Sequence, residues 1–413
     1  MVVMILSSTT NNSTTSDDGN HIEVHKQTAI NEWSIPPPKL RYLCLSDIHI
    51  GHARNPAKAI VSNLADYFSE FTNKSIFTRL DIIFIVGDLF DQLIDCSGPA
   101  LYEALEFITR LVSFCGRNKI KLRILEGTPS HDRQQSRLFE FISSVKESVA
   151  DVKWIKTLMV ERMEDLNLSI LYVPDEYTAS TDITLQLVYD LFKNQGIEQV
   201  DIAMMHGAFN YQMRCIPGQH DTHNETAYLS LVKHFINVGH IHTHSNYERI
   251  IAQGSFDRLA HGEEEPKGGV LMTIRDDGSD YYEFIENKKA KIFKTIEIKS
   301  EDLQKCLHQL ERILLKIPNE SYIRIKAPKL HPILVHISEL KKQYQFIHFS
   351  KLSLEEEEEQ QSVIKNTNEF NYSVVEIRPE NIVNLIIKEL SPDISEFDKK
   401  RLEKILIDLP AVA

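Results

Sequence analysis

The chain has 413 residues, 42% of them apolar and 25% charged, the make-up of a globular protein with room for one large domain and one or two small ones. Its net charge of −13 argues against a blanket nucleic-acid binder but does not exclude a nuclease, because bound divalent cations reverse the local field. No apolar run is long enough to span a bilayer, and the opening MVVMILSSTTNNSTTSDDGN has neither the basic flank nor the apolar length of a secretory signal. Cys44, Cys96, Cys115, Cys215 and Cys306 are odd in number and lack CxxC spacing. They are expected to be reduced thiols in an intracellular protein, cytoplasmic or nucleoid-associated, or in the host cytoplasm if the source is viral.

In chain order, residues 1–38 are rich in Ser, Thr and Asn and end in SIPPPK, which predicts a disordered tail. Order is expected to begin at LRYLCLSDIHIGH. A strand there is followed by a helix over PAKAIVSNLADYFSEF, a strand in LDIIFIVGD, a helix over ALYEALEFITRLVSFCGRN and a strand in IKLRILEG. Strands alternating with helices predict a βαβ-built sheet covered on both faces. Further short β-rich runs (LSILYVPD, QVDIAMMHG, FINVGHIH, ERIIAQG, GGVLMTIRD) predict a second sheet packed on the first.

The pattern changes near residue 289. KIFKTIEIK, SEDLQKCLHQLERILLKI, ESYIRIKAP, HPILVHISELKKQY and QFIHFSKLSL read as a compact βαβαβ unit over 289–353, with a helix start at Ser300 and Asp302. The acidic run LEEEEEQQS opens a linker over 354–370. Two short amphipathic helices, PENIVNLIIKEL and ISEFDKKRLEKILIDL, are expected within 371–413.

The chemistry lies at strand ends. LCLSDIHIGH places Asp47 and His49 two residues apart, IFIVGDLFD places Asp88, IAMMHGAF places His206, and INVGHIHTHS places His240 and His242. Open α/β folds bind ligands at the carboxyl ends of their strands. Two Asp and four His suit Mn²⁺, Fe²⁺ or Zn²⁺ better than Ca²⁺. Asp88 would bridge two ions, with Asp47, His49 and His242 completing one site and His206 and His240 the other. Such a pair clamps a phosphate and generates a hydroxide nucleophile near neutral pH.

The ordered set SDIH, GDLFD, GTPSHD, MHG and GHIH over residues 40–285 resembles the signature of calcineurin-like metallophosphoesterases. GSFDRLAHGEEEPKGGVLMTI (254–274), with Gly254, Ser255, Arg258, Gly262, Glu263, Glu264, Lys267 and Gly268, is similar to the SbcD-type nuclease branch. The resemblance implies an α/β fold: a two-sheet metallophosphoesterase sandwich flanked by helices over 39–288, with a small α+β DNA-capping domain and C-terminal helices. It further implies two divalent ions (most often Mn²⁺), DNA as substrate, a coiled-coil ABC-type ATPase (SbcC-like) docked by the C-terminal helices, and a homodimer through helices at 56–71 and 100–116. No membrane partner is implied. Arg258 is the substrate-binding candidate in this branch-like stretch.

One loop departs from the family. Where the family has Gly-Asn-His-Asp, this chain has Gly127, Thr128, Pro129 and Ser130 before His131 and Asp132. Aligning the His-Asp pair puts Ser130 in the place of the metal-ligating Asn. His131 is expected to face the scissile phosphate, oriented by Asp132, and Asp91 to orient a metal ligand. His52, His244 and His261 read as surface or substrate-facing residues, and 215–225 as a substrate-side loop. The leading expectation is a DNA exo/endonuclease subunit of a recombination or repair complex, of the kind a phage also encodes. The alternatives are a phosphoesterase for a small nucleotide or phosphoprotein, and a DNA-end-binding scaffold with a degenerate metal site.

Overall fold

The structure is a computed structural model and describes residues 38–73, 80–95, 97–145, 150–175, 178, 180–213 and 221–355. The tail up to residue 37, the acidic run beyond residue 355 and both expected C-terminal helices lie outside the described residues. The described chain runs β1 (Leu40–Leu45), α1 (Ala57–Asn73), β2 (Ile82–Val86), α2 (Pro99–Asn118), β3 (Lys121–Leu125), α3 (Leu138–Val145), β4 (Val152–Ile155), β5 (Met159–Met163) and β6 (Leu168–Val173). It continues through α4 (Thr181–Gln195), β7 (Ile202–His206), α5 (Glu225–Leu231), β8 (Ile236–Gly239), β9 (Ser245–Tyr247), β10 (Ile250–Ala252), β11 (Gly268–Ile274) and β12 (Tyr281–Glu286). The last stretch is β13 (Phe293–Glu297), α6 (Leu303–Leu314), β14 (Tyr322–Ala327), α7 (Ile333–Gln343) and β15 (His348–Ser353).

Two six-stranded sheets, ordered β12-β11-β1-β2-β3-β4 and β5-β6-β7-β8-β10-β9, pack face to face, as an α/β sandwich requires. Alternation along β1 shows how one strand serves two cores. Tyr42 and Cys44 join Phe84, Tyr172 and Met204 between the sheets, while Leu43 and Leu45 join Ile60, Leu64, Phe107 and Leu111 beneath α1 and α2. A third core under α4 and α5 holds Val188, Phe192, Tyr228 and Leu231. Helix α2 forms because Pro99 opens it and Ala104, Phe107, Ile108, Leu111, Val112 and Cys115 make one buried stripe.

The late strands do not all join the second sheet. β11 returns to the free edge of β1, antiparallel, with Leu43 opposite Leu271, and β12 pairs outside it. All seven residues of β11 are buried, and its two faces are covered there, Val270, Met272 and Ile274 by the core between the sheets and Leu271 by the core beneath α1 and α2. The βαβαβ unit forms a separate parallel sheet, β13-β14-β15, with its own core of Ile296, Leu310, Ile325, Ile337 and Phe349. Asp302 caps α6, accepting the N–H groups of Gln304 and Lys305 at 3.0 and 3.3 Å. A polar seam ties this lobe to the sandwich: Asp257 Oδ1 accepts the Lys291 N–H at 2.6 Å, and Glu264 Oε1 accepts the Thr295 N–H at 2.6 Å.

Candidate metal centre

The carboxyl ends of β1, β2 and β3 in one sheet and of β7 and β8 in the other meet at one edge of the sandwich. The Asp47 carboxylate accepts the backbone N–H of His240 at 3.0 and 3.1 Å, which stitches the two sheets together there. Asp47 (φ 49°), His49 (φ 53°), Asp88 (φ 51°) and His240 (φ 102°) all lie in the left-handed region that side chains avoid. Strain gathered on four candidate ligands, and held by buried strands, marks a functional site. The approach is close enough to require glycine: a Cβ on Gly127 would fall on the backbone N and Oδ1 of Asp88, and one on Gly87 would enter the His206 ring.

Two donor groups with no residue in common form among the described residues, and a third, His49, Asp91 and His131, overlaps the first at His49. In the first, His242 Nε2 lies 3.2 Å from His49 Nε2 and 3.8 Å from Asp47 Oδ1. In the second, His206 Nε2 lies 3.4 Å from Asp88 Oδ1, with the His240 ring 5.5 Å from that of His206. The ligand atoms of Asp47, His49 and His242 lie within 4.8 Å of one another, as do those of Asp88, His206 and His240. Asp88 Oδ2 is also 3.9 Å from His49 Nε2, so this carboxylate faces both groups.

Three of the four imidazoles are set by their other nitrogen. His206 Nδ1 donates to the Val86 carbonyl at 2.9 Å, His242 Nδ1 meets Glu263 Oε1 at 2.9 Å, and His49 Nδ1 lies 3.3 Å from Asp91 Oδ1. These contacts leave the Nε2 atoms to converge, which is how proteins present His to a metal. The donor types and spacings fit metal ions.

The rebuilt loop differs from expectation at two residues. Ser130 is exposed, and its carbonyl accepts from Arg133 Nε at 3.1 Å; it does not enter the site. Thr128 does. Asp132 is fully buried and turns away from His131 to accept N–H bonds from Gly127 (2.8 Å), Asp88 (3.1 Å) and Phe90 (2.9 Å). His131 Nδ1 instead donates to the Asp91 carbonyl at 2.6 Å, and its ring stands 5.0 Å from that of His49. A carboxylate surrounded by backbone donors satisfies them first.

The 254–274 stretch wraps the first group. Besides holding His242, Glu263 lies 3.5 Å from the buried Lys267 Nζ, which donates to the His242 carbonyl at 2.8 Å. The sequence offered the GEE…K spacing but no sign that it braces a ligand. Arg258, expected on the substrate, instead spends its guanidinium on the carbonyls of Glu265, Ala290 and Lys291, at the seam with the small lobe. His244 Nδ1 meets the Ala252 carbonyl at 2.8 Å, and His261 stands edge-on to Phe293.

Electrostatics follow from these contacts. Burial works against the Asp88 charge, but His206, then His49 and His131, outweigh it and hold the carboxyl well below its usual range. Burial likewise disfavours His206⁺, yet Asp88 and then Asp47 carry it up to about 10. Glu263, despite burial, is held down to about 2 by its bond to His242. Burial lowers His240, and the neighbouring His206 charge adds to this.

Of the expected substrate-side loop, residues 215–220 lie outside the described residues. The described end is structural: His223 is buried against Phe209 and Tyr228, and its N–H donates to the Ala208 carbonyl at 2.8 Å. Burial pushes this imidazole down to about 4. An unfolded His takes up its proton near 6.5, so acidification below that value favours the unfolded chain until the folded His223 also titrates. Between pH 7 and 4 this costs about 3 kcal/mol at 1.4 kcal/mol per pKa unit. His223→Phe should therefore lose less stability than wild type over that range, read from urea midpoints at pH 7 and 4.5. Parallel pH dependence of the two proteins would contradict it.

Fold and site together define an α/β sandwich with two groups of metal-type ligands at its carboxyl edge. No family model matches the chain, and no curated protein matches it. Among solved structures it is similar to TT1561 of Thermus thermophilus, at 9% identity and a TM-score of 0.34, over 59% of this chain and 98% of that one. It is also similar to GAP50, the anchor in the inner membrane complex of Plasmodium, at 14% identity and a TM-score of 0.37, over 69% of this chain and 96% of that one. Likenesses this distant leave the reading of the site to its own geometry.

Proposed function

We propose that the chain is a calcineurin-like, dinuclear metal-dependent phosphodiesterase that cleaves DNA. In this reading it is the SbcD-type nuclease subunit of a complex with a coiled-coil ABC-type ATPase, and it uses Mn²⁺. The observation that carries the reading is Asp88, which faces both donor groups from a strained strand end with His131 alongside. When bound, two ions would clamp the phosphodiester and supply a nucleophilic water. Asp47, His49 and His242 would hold one and His206 and His240 the other, with Asp88 shared. His131, whose Nδ1–H is fixed on the Asp91 carbonyl, would act from Nε2 as the imidazolium, passing that second proton to the leaving oxygen and ending as the neutral Nδ1–H tautomer, a role worth about 10²–10⁴ in rate.

The nuclease branch is supported by the 254–274 stretch, whose distinguishing Glu263 and Lys267 brace His242. A homodimer is supported by the surface groove between α1 and α2, lined by Val61, Phe68, Phe107 and Phe114.

The test is cleavage of labelled linear duplex DNA with Mn²⁺. Wild type should cut, and His131→Ala should lose about 10²–10⁴ in rate with its melting unchanged. A wild type that leaves DNA intact even with its ATPase partner, yet hydrolyses small phosphodiesters, would replace this reading with the small-substrate alternative.

A further inference from the structure

We propose that Thr128 supplies the fourth protein donor of the second metal group, so that this group is Asp88, His206, His240 and the Thr128 hydroxyl. The inference rests on the metal-site reading above and adds to it a residue that alignment on the His-Asp pair does not select.

The geometry singles out this side chain. Thr128 Oγ1 lies 3.2 Å from Asp88 Oδ2 and 3.4 Å from His206 Nε2, and His206 Nε2 lies 3.4 Å from Asp88 Oδ1. Donors about 2.1 Å from one ion stand about 3.0–3.5 Å apart in octahedral or tetrahedral arrangements, so the Thr128–His206 and His206–Asp88 Oδ1 separations suit a shared ion, while the Thr128 contact to Oδ2 puts the hydroxyl beside the carboxylate that both groups share. The backbone holds the hydroxyl in place. The Thr128 N–H donates to Asp88 Oδ1 at 2.6 Å, and the Thr128 carbonyl accepts the N–H groups of His131 (2.8 Å) and Asp132 (3.1 Å). That turn carries Pro129 and Ser130 outward and leaves Thr128 as the inward residue. Gly127, pressed against Asp88, makes the approach possible.

The assignment balances the two groups. With Asp88 shared, the first has Asp47, His49 and His242, and the second has His206, His240 and Thr128. A neutral hydroxyl is a weaker donor than a carboxylate or imidazole, so the second group is the low-affinity, exchangeable one. Metal loading should then occur in two separable steps.

The experiment is Mn²⁺ binding to the full chain by calorimetry and equilibrium dialysis, comparing wild type with Thr128→Val, Thr128→Ser and Thr128→Asn. Valine keeps the β-branched shape and the backbone bond to Asp88 but removes the hydroxyl, and thermal melts of each metal-free variant control for folding. Wild type should bind two ions with distinct affinities. Thr128→Val should weaken the second step by about 10-fold or more with the first unchanged; alteration of even the groups that support metal ligands costs about 10–100-fold. Thr128→Ser should restore it, and Thr128→Asn, with a better oxygen donor, should tighten it. Two binding steps unaffected by Thr128→Val, in a protein that melts normally, would overturn the assignment and leave the metal centre standing. A wild type that binds no Mn²⁺ would overturn both.

Discussion

Asp88→Asn should bind at most one Mn²⁺ and cleave DNA slower by about three orders of magnitude or more, the scale expected when a shared ligand of a two-ion clamp is lost. Among the described residues the carboxylate turns an oxygen toward each set, Oδ1 at 3.4 Å from His206 Nε2 and Oδ2 at 3.9 Å from His49 Nε2. It also accepts the Thr128 N–H, so an amide in its place must turn its NH₂ toward either a donor or a metal position. Removing the charge also removes the partner that keeps His206 protonated in the metal-free protein. Calorimetric titration with Mn²⁺ and cleavage of labelled duplex are the measurements. Two ions bound at wild-type affinity would rule out Asp88 as the bridge.

Asp132→Asn should lower stability by about 2–4 kcal/mol, and activity with it, because its carboxylate is spent on backbone N–H groups. Its two oxygens accept three backbone N–H groups, from Gly127, Asp88 and Phe90. An amide has one oxygen to offer, and its NH₂ would face a donor; a buried unsatisfied donor costs about 1–3 kcal/mol, more where a charge is involved. Burial, then the charges of Asp88 and Glu126, push this carboxyl up to about 8, while the N–H donors pull the other way. Three donors pointing at it fit the anion. The check is the urea midpoint of Asp132→Asn beside that of His131→Ala. Asp132→Asn should be destabilised and His131→Ala within about 0.5 kcal/mol of wild type. Equal stability with lost activity for Asp132→Asn would return it to the His131-orienting role expected from the sequence.

What the sequence determined by itself was the set of strand ends and the chemistry they carry. Asp47, His49, Asp88, His206, His240 and His242 each end or follow a buried strand, and parallel pairing brings such ends to one edge within each sheet, while the packing of the two sheets brings the two edges together. The βαβαβ lobe was legible for the same reason: its strands and helices announce themselves by period and by the Asp302 cap. Tertiary structure alone decided the rest. Which of Thr128 and Ser130 faces inward depends on a turn closed by two bonds to one carbonyl, and spacing does not encode that choice. Asp132 left His131 because three backbone donors converge on it, two of them from a loop 42 and 44 residues away in sequence. Arg258 went to the seam because the small lobe's carbonyls lie there. β11 crossed back to β1, where its faces join two different cores. Local pattern sets which groups stand at a strand end; the partners that claim them come from elsewhere in the chain, and packing brings them there.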